Sequence, residues 1–163
     1  MDTALTYQAY YTKSNPILNY MTGMLHFKPH DHILEPCGGD GVFIDKILES
    51  IQNVQINVFE LNPSAVTALK SKYSLESCIS IKETDTLLDE TILECSQKYD
   101  KIIGNPPYGA RNDEHKKELL NKLYSALYTK ESYTLFLYAC TRCLKENGEL
   151  CFIVPDTFLS LHR

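Results

Sequence analysis

The stretch that decides the fold runs from His32 to Ile51 and reads HILEPCGGDGVFIDKILESI. Its first residues form a short apolar run that Pro36 stops, and a glycine-rich turn follows. Apolar residues then recur at helical spacing, at Ile44, Ile47, Leu48 and Ile51. The order of strand, glycine turn and helix is typical of a parallel sheet covered by helices.

The same alternation continues on both sides of this stretch. A capped helix is predicted before it, over SNPILNYMTGML (14–25). The further predicted strands are VQINVFE (54–60), SCISIKETD (77–85), YDKIIG (99–104) and ELCFIVP (149–155). The further predicted helices are LNPSAVTALKSKY (61–73), HKKELLNKLYSALY (115–128) and ESYTLFLYACTRCLKENG (131–148). The sequence therefore predicts one α/β domain with a doubly wound, mostly parallel sheet.

Composition limits the classes of protein that fit. The 163 residues are 44% hydrophobic and 23% charged, and no apolar run approaches the roughly 20 residues of a membrane span. The first residues resemble no signal peptide, so we expect a cytoplasmic protein without a membrane partner. The net charge of −5 predicts that any contact with nucleic acid is local.

The six cysteines lie in predicted regular structure, which favours reduced, buried thiols. Cys140 and Cys143 form a CxxC, but three-residue spacing simply places both on one helix face, and no second CxxC completes a zinc site. We therefore interpret this pair as core and predict no metal.

Polar residues and glycines stand at the ends of successive predicted strands. Gly39 and Gly41 allow a tight turn and close approach of a ligand. Ile44 stands where the dinucleotide-binding fingerprint has its third glycine, so that motif is not matched. Glu60, about 20 residues further on, is placed to accept hydrogen bonds from ribose hydroxyls. Asp85 is placed to accept a hydrogen bond from an adenine amino group. Together they predict a nucleoside site at the carboxyl edge of the sheet.

The fourth strand runs into the sequence NPPY, residues 105–108. The prolines hold Asn105 extended and leave the Pro106 carbonyl without a neighbouring N–H from either proline. Two rigid acceptors beside the Tyr108 ring suit a planar amino group, because accepting both of its N–H bonds frees the nitrogen lone pair for attack. An ordinary turn is the alternative interpretation; the position next to the nucleoside pattern favours catalysis.

These segments together resemble the S-adenosylmethionine-dependent DNA adenine-N6 methyltransferases of the gamma group. The resemblance rests on YYTKSNPILNYM, ILEPCGGDGVF, VFELNP, TDTL and IIGNPPYG, in that order. It implies a catalytic set of Asn105, Pro106, Pro107 and Tyr108, with Tyr108 stacked on an adenine flipped out of double-stranded DNA. The implied cofactor-binding residues are Thr12, Glu35, Pro36, Cys37, Gly39, Gly41, Glu60, Leu61, Asp85, Thr86 and Asn105.

Within this set, Thr12 and the turn over 35–41 would hold the methionine part of the cofactor, Glu60 its ribose and Asp85 its adenine. Family members continue past the FIVPDTF region with two more strands and a target-recognition domain. We therefore expect residues 1–163 to be a methyltransferase domain that lacks its last two strands, with the fifth strand as an unpaired edge. A linked or separate restriction subunit is a further expected partner.

Two other functions stay open at this level. A methyltransferase acting on a glutamine side-chain amide would use the same NPPY, although a separate helical domain before the first strand would be more usual there. A non-catalytic module that binds cofactor or DNA is the second alternative. A basic group formed by Arg111, Lys116, Lys117 and Lys122 is predicted equally well as a phosphate-facing patch or as a solvated helix face.

Overall fold

A computed structural model describes residues 12–108, 114–125, 127 and 131–160. Its helices are α1 Asn15–Met24, α2 Val42–Ser50, α3 Pro63–Lys72, α4 Glu90–Leu93, α5 Glu114–Leu123 and α6 Ser132–Cys143, with a 3₁₀ helix at Asp156–Ser160. Its strands are β1 His32–Glu35, β2 Gln55–Glu60, β3 Ile79–Glu83, β4 Tyr99–Gly104 and β5 Leu144–Phe152. The predicted elements occur in the predicted order, and the structure adds two that were not predicted, α4 and the 3₁₀ helix.

The five strands form one parallel sheet with the order β3-β2-β1-β4-β5. β1 lies in the centre, where Leu34 pairs with Asn57 of β2 on one side and with Ile102 of β4 on the other. The chain moves outward from β1 to β3 and then crosses back to β4, so the strand order reverses between β1 and β4. The predicted doubly wound α/β class is confirmed, and in the described chain β3 and β5 are the edges.

Helices cover both faces of this sheet, and each face has its own apolar cluster. One cluster joins α1, α2 and α3 to the sheet through Ile33, Ile56, Val58 and Ile103. The other joins α4, α5 and α6 to it through Leu34, Phe59, Tyr99 and Ile102. Strands buried on both faces explain why their sequences are continuous apolar runs. Cys140 and Cys143 are fully buried in the second cluster, which confirms their interpretation as core.

Two local predictions are wrong. The sequence places the end of the last helix at Asn147-Gly148, but α6 ends at Cys143 and the chain enters β5 at once. Between the pairs Tyr99–Leu144 and Lys101–Glu149 the register shifts, and Asn147 takes a positive φ of 61° there. The glycine signal therefore marks a bulge in β5 rather than a helix end.

The second wrong prediction concerns the buried face of α1. The predicted apolar face includes Ile17 and Met24, which are 46% and 53% exposed. Met21 and Leu25, the other two members of the predicted face, are buried as predicted. Leu18 is buried as well, together with Thr22, whose hydroxyl donates to the Leu18 carbonyl. Among the described residues no helix is long and apolar enough to cross a membrane.

Candidate active site at the carboxyl ends of β1 and β4

The point of strand reversal brings two sequence motifs together. The glycine turn follows β1 and the NPPY segment follows β4, and these two strands are neighbours. A small cavity opens between them, lined by five of the predicted site residues: Thr12, Glu35, Cys37, Gly39 and Asn105. In open parallel sheets this is the place where ligands bind.

The glycine turn is close-packed and left-handed. Gly39 and Gly41 have φ of 53° and 78°, values that favour glycine. Gly38, which the sequence pattern does not single out, also lines the cavity, and its amide donates to the Phe59 carbonyl at 2.9 Å. A Cβ at Gly38 would collide with Cγ1 of Val58, so a side chain there would push against β2. Spacing alone does not reveal this contact.

Polar contacts from α2 and α3 hold the turn from outside. The Tyr73 hydroxyl donates to the Gly41 carbonyl at 2.8 Å and lies 2.7 Å from Asp45 Oδ1. The other oxygen of Asp45 forms a 2.6 Å ion pair with Lys72. Burial and the neighbouring Asp45 raise the pKa of the Tyr73 phenol, so it stays protonated and remains a donor. The helical stripe predicts Tyr73 as core but gives no signal for this hydrogen bond.

Glu60 ties the ends of β1 and β2 together. One carboxylate oxygen accepts from the Gly39 amide at 2.8 Å and the other from the Asn62 amide at 2.6 Å. Asn62 in turn caps α3 through Ser64, as Asn-Pro at a helix start predicts. Leu61, between the two, is exposed. Glu60 thus stands beside the cavity with its orientation fixed.

Glu35 is the most unusual group in the cavity wall. Its side chain is 1% exposed, and its Oε2 has no hydrogen-bond partner within the described structure. Burial, with Asp40 and Glu60 nearby, raises its pKa well above the ordinary value. Burial likewise raises the pKa of the Cys37 thiol, which remains protonated. A buried carboxyl with an unused oxygen fits a cationic ligand such as the ammonium of a methionine group.

The residues that follow β3 also reach this region. The Thr86 hydroxyl is buried and donates to the Pro36 carbonyl at 2.5 Å. Asp85 accepts from the Leu87 amide at 3.2 Å. The ends of β1 and β3 are therefore joined across β2, and Asp85 lies close to the glycine turn in the same part of the sheet edge.

Two members of the predicted basic group are ion-paired with carboxylates. Lys116 of α5 forms a 2.5 Å ion pair with Asp85, and Lys117 pairs with Glu114. Lys122 is exposed, and Arg111 lies outside the described residues. Lys116 and Lys117 therefore have carboxylate partners within the chain.

Asn105 is the residue of the NPPY segment that lines the cavity. Asn105 donates through Nδ2 to the Thr12 hydroxyl at 3.1 Å, and its Oδ1 accepts from the Tyr108 hydroxyl. Pro106 is buried, while Pro107 and Tyr108 are half-buried. The Tyr108 ring meets Tyr133 of α6 edge to face, with centroids 6.4 Å apart, and burial raises the pKa of its phenol. The cavity lining also includes Asp40, which lies within the predicted turn over 35–41, and Val42 and Phe43, which are not among the predicted site residues.

The fold and this site define an α/β protein of the class I methyltransferase fold. An S-adenosylmethionine-dependent O-methyltransferase from Thermotoga maritima superposes on it with a TM-score of 0.65, covering 98% of this chain and 51% of that one at 14% identity. The family follows from the sequence match. The chain belongs to the Eco57I restriction-modification methylase family, whose model matches residues 41–163.

Two relatives illustrate the range of the matches. The modification methylase CviBIII of Paramecium bursaria Chlorella virus NC1A is 36% identical over 135 residues, which cover 81% of this chain and 33% of that protein. A tRNA1(Val) (adenine(37)-N6)-methyltransferase of Haemophilus influenzae is 31% identical over 134 residues, covering 76% and 53%. The chain thus spans between a third and about half of the length of these relatives.

Proposed function

We propose that residues 1–163 are the cofactor-binding and catalytic part of a methyltransferase that moves a methyl group from S-adenosylmethionine to the N6 amino group of adenine in DNA, as the modification arm of a restriction-modification system. The observation that carries the proposal is the position of Asn105. Its side chain shares one small cavity with Glu35 and the glycine turn, at the reversal of the sheet. Family membership supports the same reaction.

The cavity residues suit the cofactor. S-adenosylmethionine, when bound, supplies an electrophilic methyl group on a sulfonium. Glu35 offers its unused oxygen to the ammonium, and Glu60 is held where it can accept a ribose hydroxyl. Asp85 and Thr86 stand beyond the end of β3, and Asp85 is proposed to accept the adenine amino group. The glycine turn leaves room for the backbone to approach the ligand.

On the target side, Asn105 Oδ1 and the Pro106 carbonyl would accept the two hydrogens of the amino group. This keeps the nitrogen lone pair available without a charged general base. Tyr108 would turn its ring onto an adenine flipped out of the duplex, which offsets part of the few kcal/mol that flipping costs. With both partners positioned, in-line transfer gains most of its rate from orientation.

The partners of this reaction are proposed with it. Double-stranded DNA is the substrate, and a linked or separate restriction subunit would use the same recognition sequence. Because its substrate would be cellular or invading DNA, we place the reaction in the cytoplasm. The net charge of −5 and the ion-paired lysines of α5 indicate that a small part of this chain contacts phosphates.

The decisive experiment follows label from radioactive S-adenosylmethionine into unmethylated DNA with the full-length protein. We expect label at adenine N6 and almost none with Asn105→Ala. Asn19→Ala is the matched control, since Asn19 is exposed on α1 and does not line the cavity. Unchanged labelling by Asn105→Ala would overturn the proposed role of the NPPY segment.

Adenine in RNA is a second candidate target, because one relative methylates tRNA by its name and matches this chain at 31% identity. The same assay with tRNA in place of DNA separates the two. Label in a glutamine of added protein would favour the amide-acting alternative, and binding of cofactor with no label anywhere would favour a non-catalytic module.

A further inference from the structure

Thr12 contacts the proposed catalytic asparagine from the cofactor side. It is buried, it lines the cavity, and its hydroxyl accepts from Asn105 Nδ2 at 3.1 Å. The far end of the same amide, Oδ1, accepts from the Tyr108 hydroxyl. Asn105 is therefore held at both ends of its amide by hydroxyl groups from two widely separated parts of the sequence.

The orientation of this amide matters for the chemistry. An amide has one end that accepts hydrogen bonds and one that donates. The target amine brings two N–H donors, so it needs the Oδ1 end; a rotated amide would set N–H against N–H. In the free protein the Tyr108 phenol, a good donor, marks the Oδ1 end. Once the Tyr108 ring stacks on a base, its hydroxyl leaves that position and the amine replaces it.

We infer that Thr12 is a positioning residue that fixes the Asn105 amide with its oxygen towards the target amine, by accepting from Nδ2. This inference rests on the proposed function and deepens it. The family resemblance implies only that Thr12 holds the methionine part of the cofactor, whereas its hydrogen bond with Asn105 joins the proposed cofactor half of the site to the target half.

One arm of the test does not depend on methyl transfer. Thr12→Val removes the hydroxyl at nearly constant volume and takes this acceptor away from Nδ2, so it should lower the melting temperature. In an Asn105→Ala background the same change should have no further effect, since the bond is already gone. Equal losses in both backgrounds would overturn the contact itself, whether or not the protein proves to be a methyltransferase.

The other arm measures the single-turnover rate on DNA at saturating cofactor. Thr12→Val should lower this rate roughly tenfold, and because the cofactor is saturating, a change in the affinity for S-adenosylhomocysteine, measured separately by calorimetry, does not account for the loss. Thr12→Ser should restore most of the lost rate because it restores the acceptor. In an Asn105→Asp background Thr12→Val should cost much less, since a carboxylate has two equivalent oxygens and needs no orientation.

The remaining outcomes separate this inference from the proposed function. A Thr12→Val protein that loses cofactor affinity but keeps its single-turnover rate would show that Thr12 serves the cofactor alone, and the inference fails. If the parent labels no nucleic acid, the proposed function fails, and the melting-temperature arm still decides whether Thr12 holds Asn105. A Thr12→Val penalty that is equally large in the Asn105→Asp background would also contradict the orienting role.

Discussion

At the scale of single residues, the proposed role of Glu35 predicts that cofactor binding is coupled to release of a proton. Its pKa is raised by burial, so the folded protein favours the neutral form. An ammonium ligand favours the charged form, so binding should release a proton. We predict that the calorimetric enthalpy of S-adenosylhomocysteine binding depends on the ionisation enthalpy of the buffer. Affinity should rise with pH until the pH exceeds the raised pKa of Glu35.

The variant Glu35→Gln should abolish this buffer dependence and weaken binding. A group with a raised folded pKa contributes stability that is present below its unfolded pKa and is lost as pH rises through the folded pKa. The melting temperature of the parent should therefore fall as the pH rises through the raised pKa of Glu35. The melting temperature of Glu35→Gln, whose side chain resembles the neutral acid, should not show this fall. Glu76→Gln, at an exposed position, is the matched control. An enthalpy for the parent that is equal in all buffers would contradict the assigned role.

Two glycines offer a matched pair for the packing of the turn. A Cβ at Gly38 would collide with the buried Val58 side chain, and Gly38→Ala should cost about 1–3 kcal/mol of unfolding free energy. Gly23 lies within α1, where a Cβ would meet no side chain of the described residues within 4 Å, and Gly23→Ala should gain about 0.5–1 kcal/mol. Urea unfolding of both variants checks this. A Gly38→Ala protein as stable as the parent would mean that β2 shifts to accommodate the added Cβ at little cost.

The sequence predicts which residues stand at the candidate site better than it predicts their contacts. Glu60, Asn105 and the glycines are predictable because strand ends and proline geometry restrict what such residues can do. The bond between Tyr73 and Gly41 and the unused oxygen of Glu35 are tertiary facts. They depend on which helix packs behind the turn, and a local sequence pattern does not predict that packing.

At the scale of elements, an ion pair with a buried lysine links β5 to β4. Lys101 of β4, with a side chain 6% exposed, donates to Glu149 of β5 at 2.8 Å, and the His26 amide donates to the same oxygen. Lys101 first, and then His26, lower the pKa of Glu149 to about 2. Glu149→Gln would leave the Lys101 ammonium buried without this charge partner. We predict a loss of about 2 kcal/mol in urea unfolding.

The pH dependence gives this prediction a sign. A carboxyl with a lowered folded pKa contributes stability above its unfolded pKa, and this contribution is lost as pH falls through the folded value. The parent should therefore lose stability from about pH 4.5 down to about pH 2, and Glu149→Gln should lose less over that range. Glu146→Gln, exposed on the same strand, should behave like the parent. If the parent and Glu149→Gln lost the same stability between about pH 4.5 and pH 2, the ion pair would not stabilise β5.

Element types are predictable from this sequence and element ends are not. Buried strands and amphipathic helices carry strong periodic signals, and all five predicted strands are present. Asn147-Gly148 misleads because the same residues suit a helix end and a strand bulge, and pairing of Leu144 with Tyr99 decides between them. In α1 the apolar residues form one broad stripe, and the buried face is shifted towards Leu18 and Thr22, so that Ile17 and Met24 at its edge stay exposed.

At the scale of the whole molecule, no local sequence pattern determines the strand order. The sequence predicts a parallel sheet and a reversal near the fourth strand, but the order β3-β2-β1-β4-β5 depends on which edges pair. That order makes the site, because it sets the ends of β1 and β4 side by side. His26 and Glu149, 123 positions apart in sequence, likewise meet through topology alone.

The topology also predicts which segments of the chain a bound cofactor stabilises. Another cleft in the described structure lies at the opposite, amino edge of the sheet, between α1 and α2, beside Gly23, Lys46 and Glu49. We predict that saturating S-adenosylhomocysteine slows amide hydrogen exchange over 36–41, 84–86 and 105–108, and raises the melting temperature by mass action. Those three segments follow different strands, and the reversal of the sheet is what lets one ligand stabilise them together.

A variant of the turn tests this coupling. Glu60→Ala, which releases the Gly39 amide, should weaken the protection of all three segments in parallel, because one ligand stabilises them. Glu76→Ala, at an exposed position after α3, should leave the protection unchanged. Slowing of exchange confined to the amino-edge cleft would place the ligand there, and the active site assigned to the carboxyl edge would be wrong.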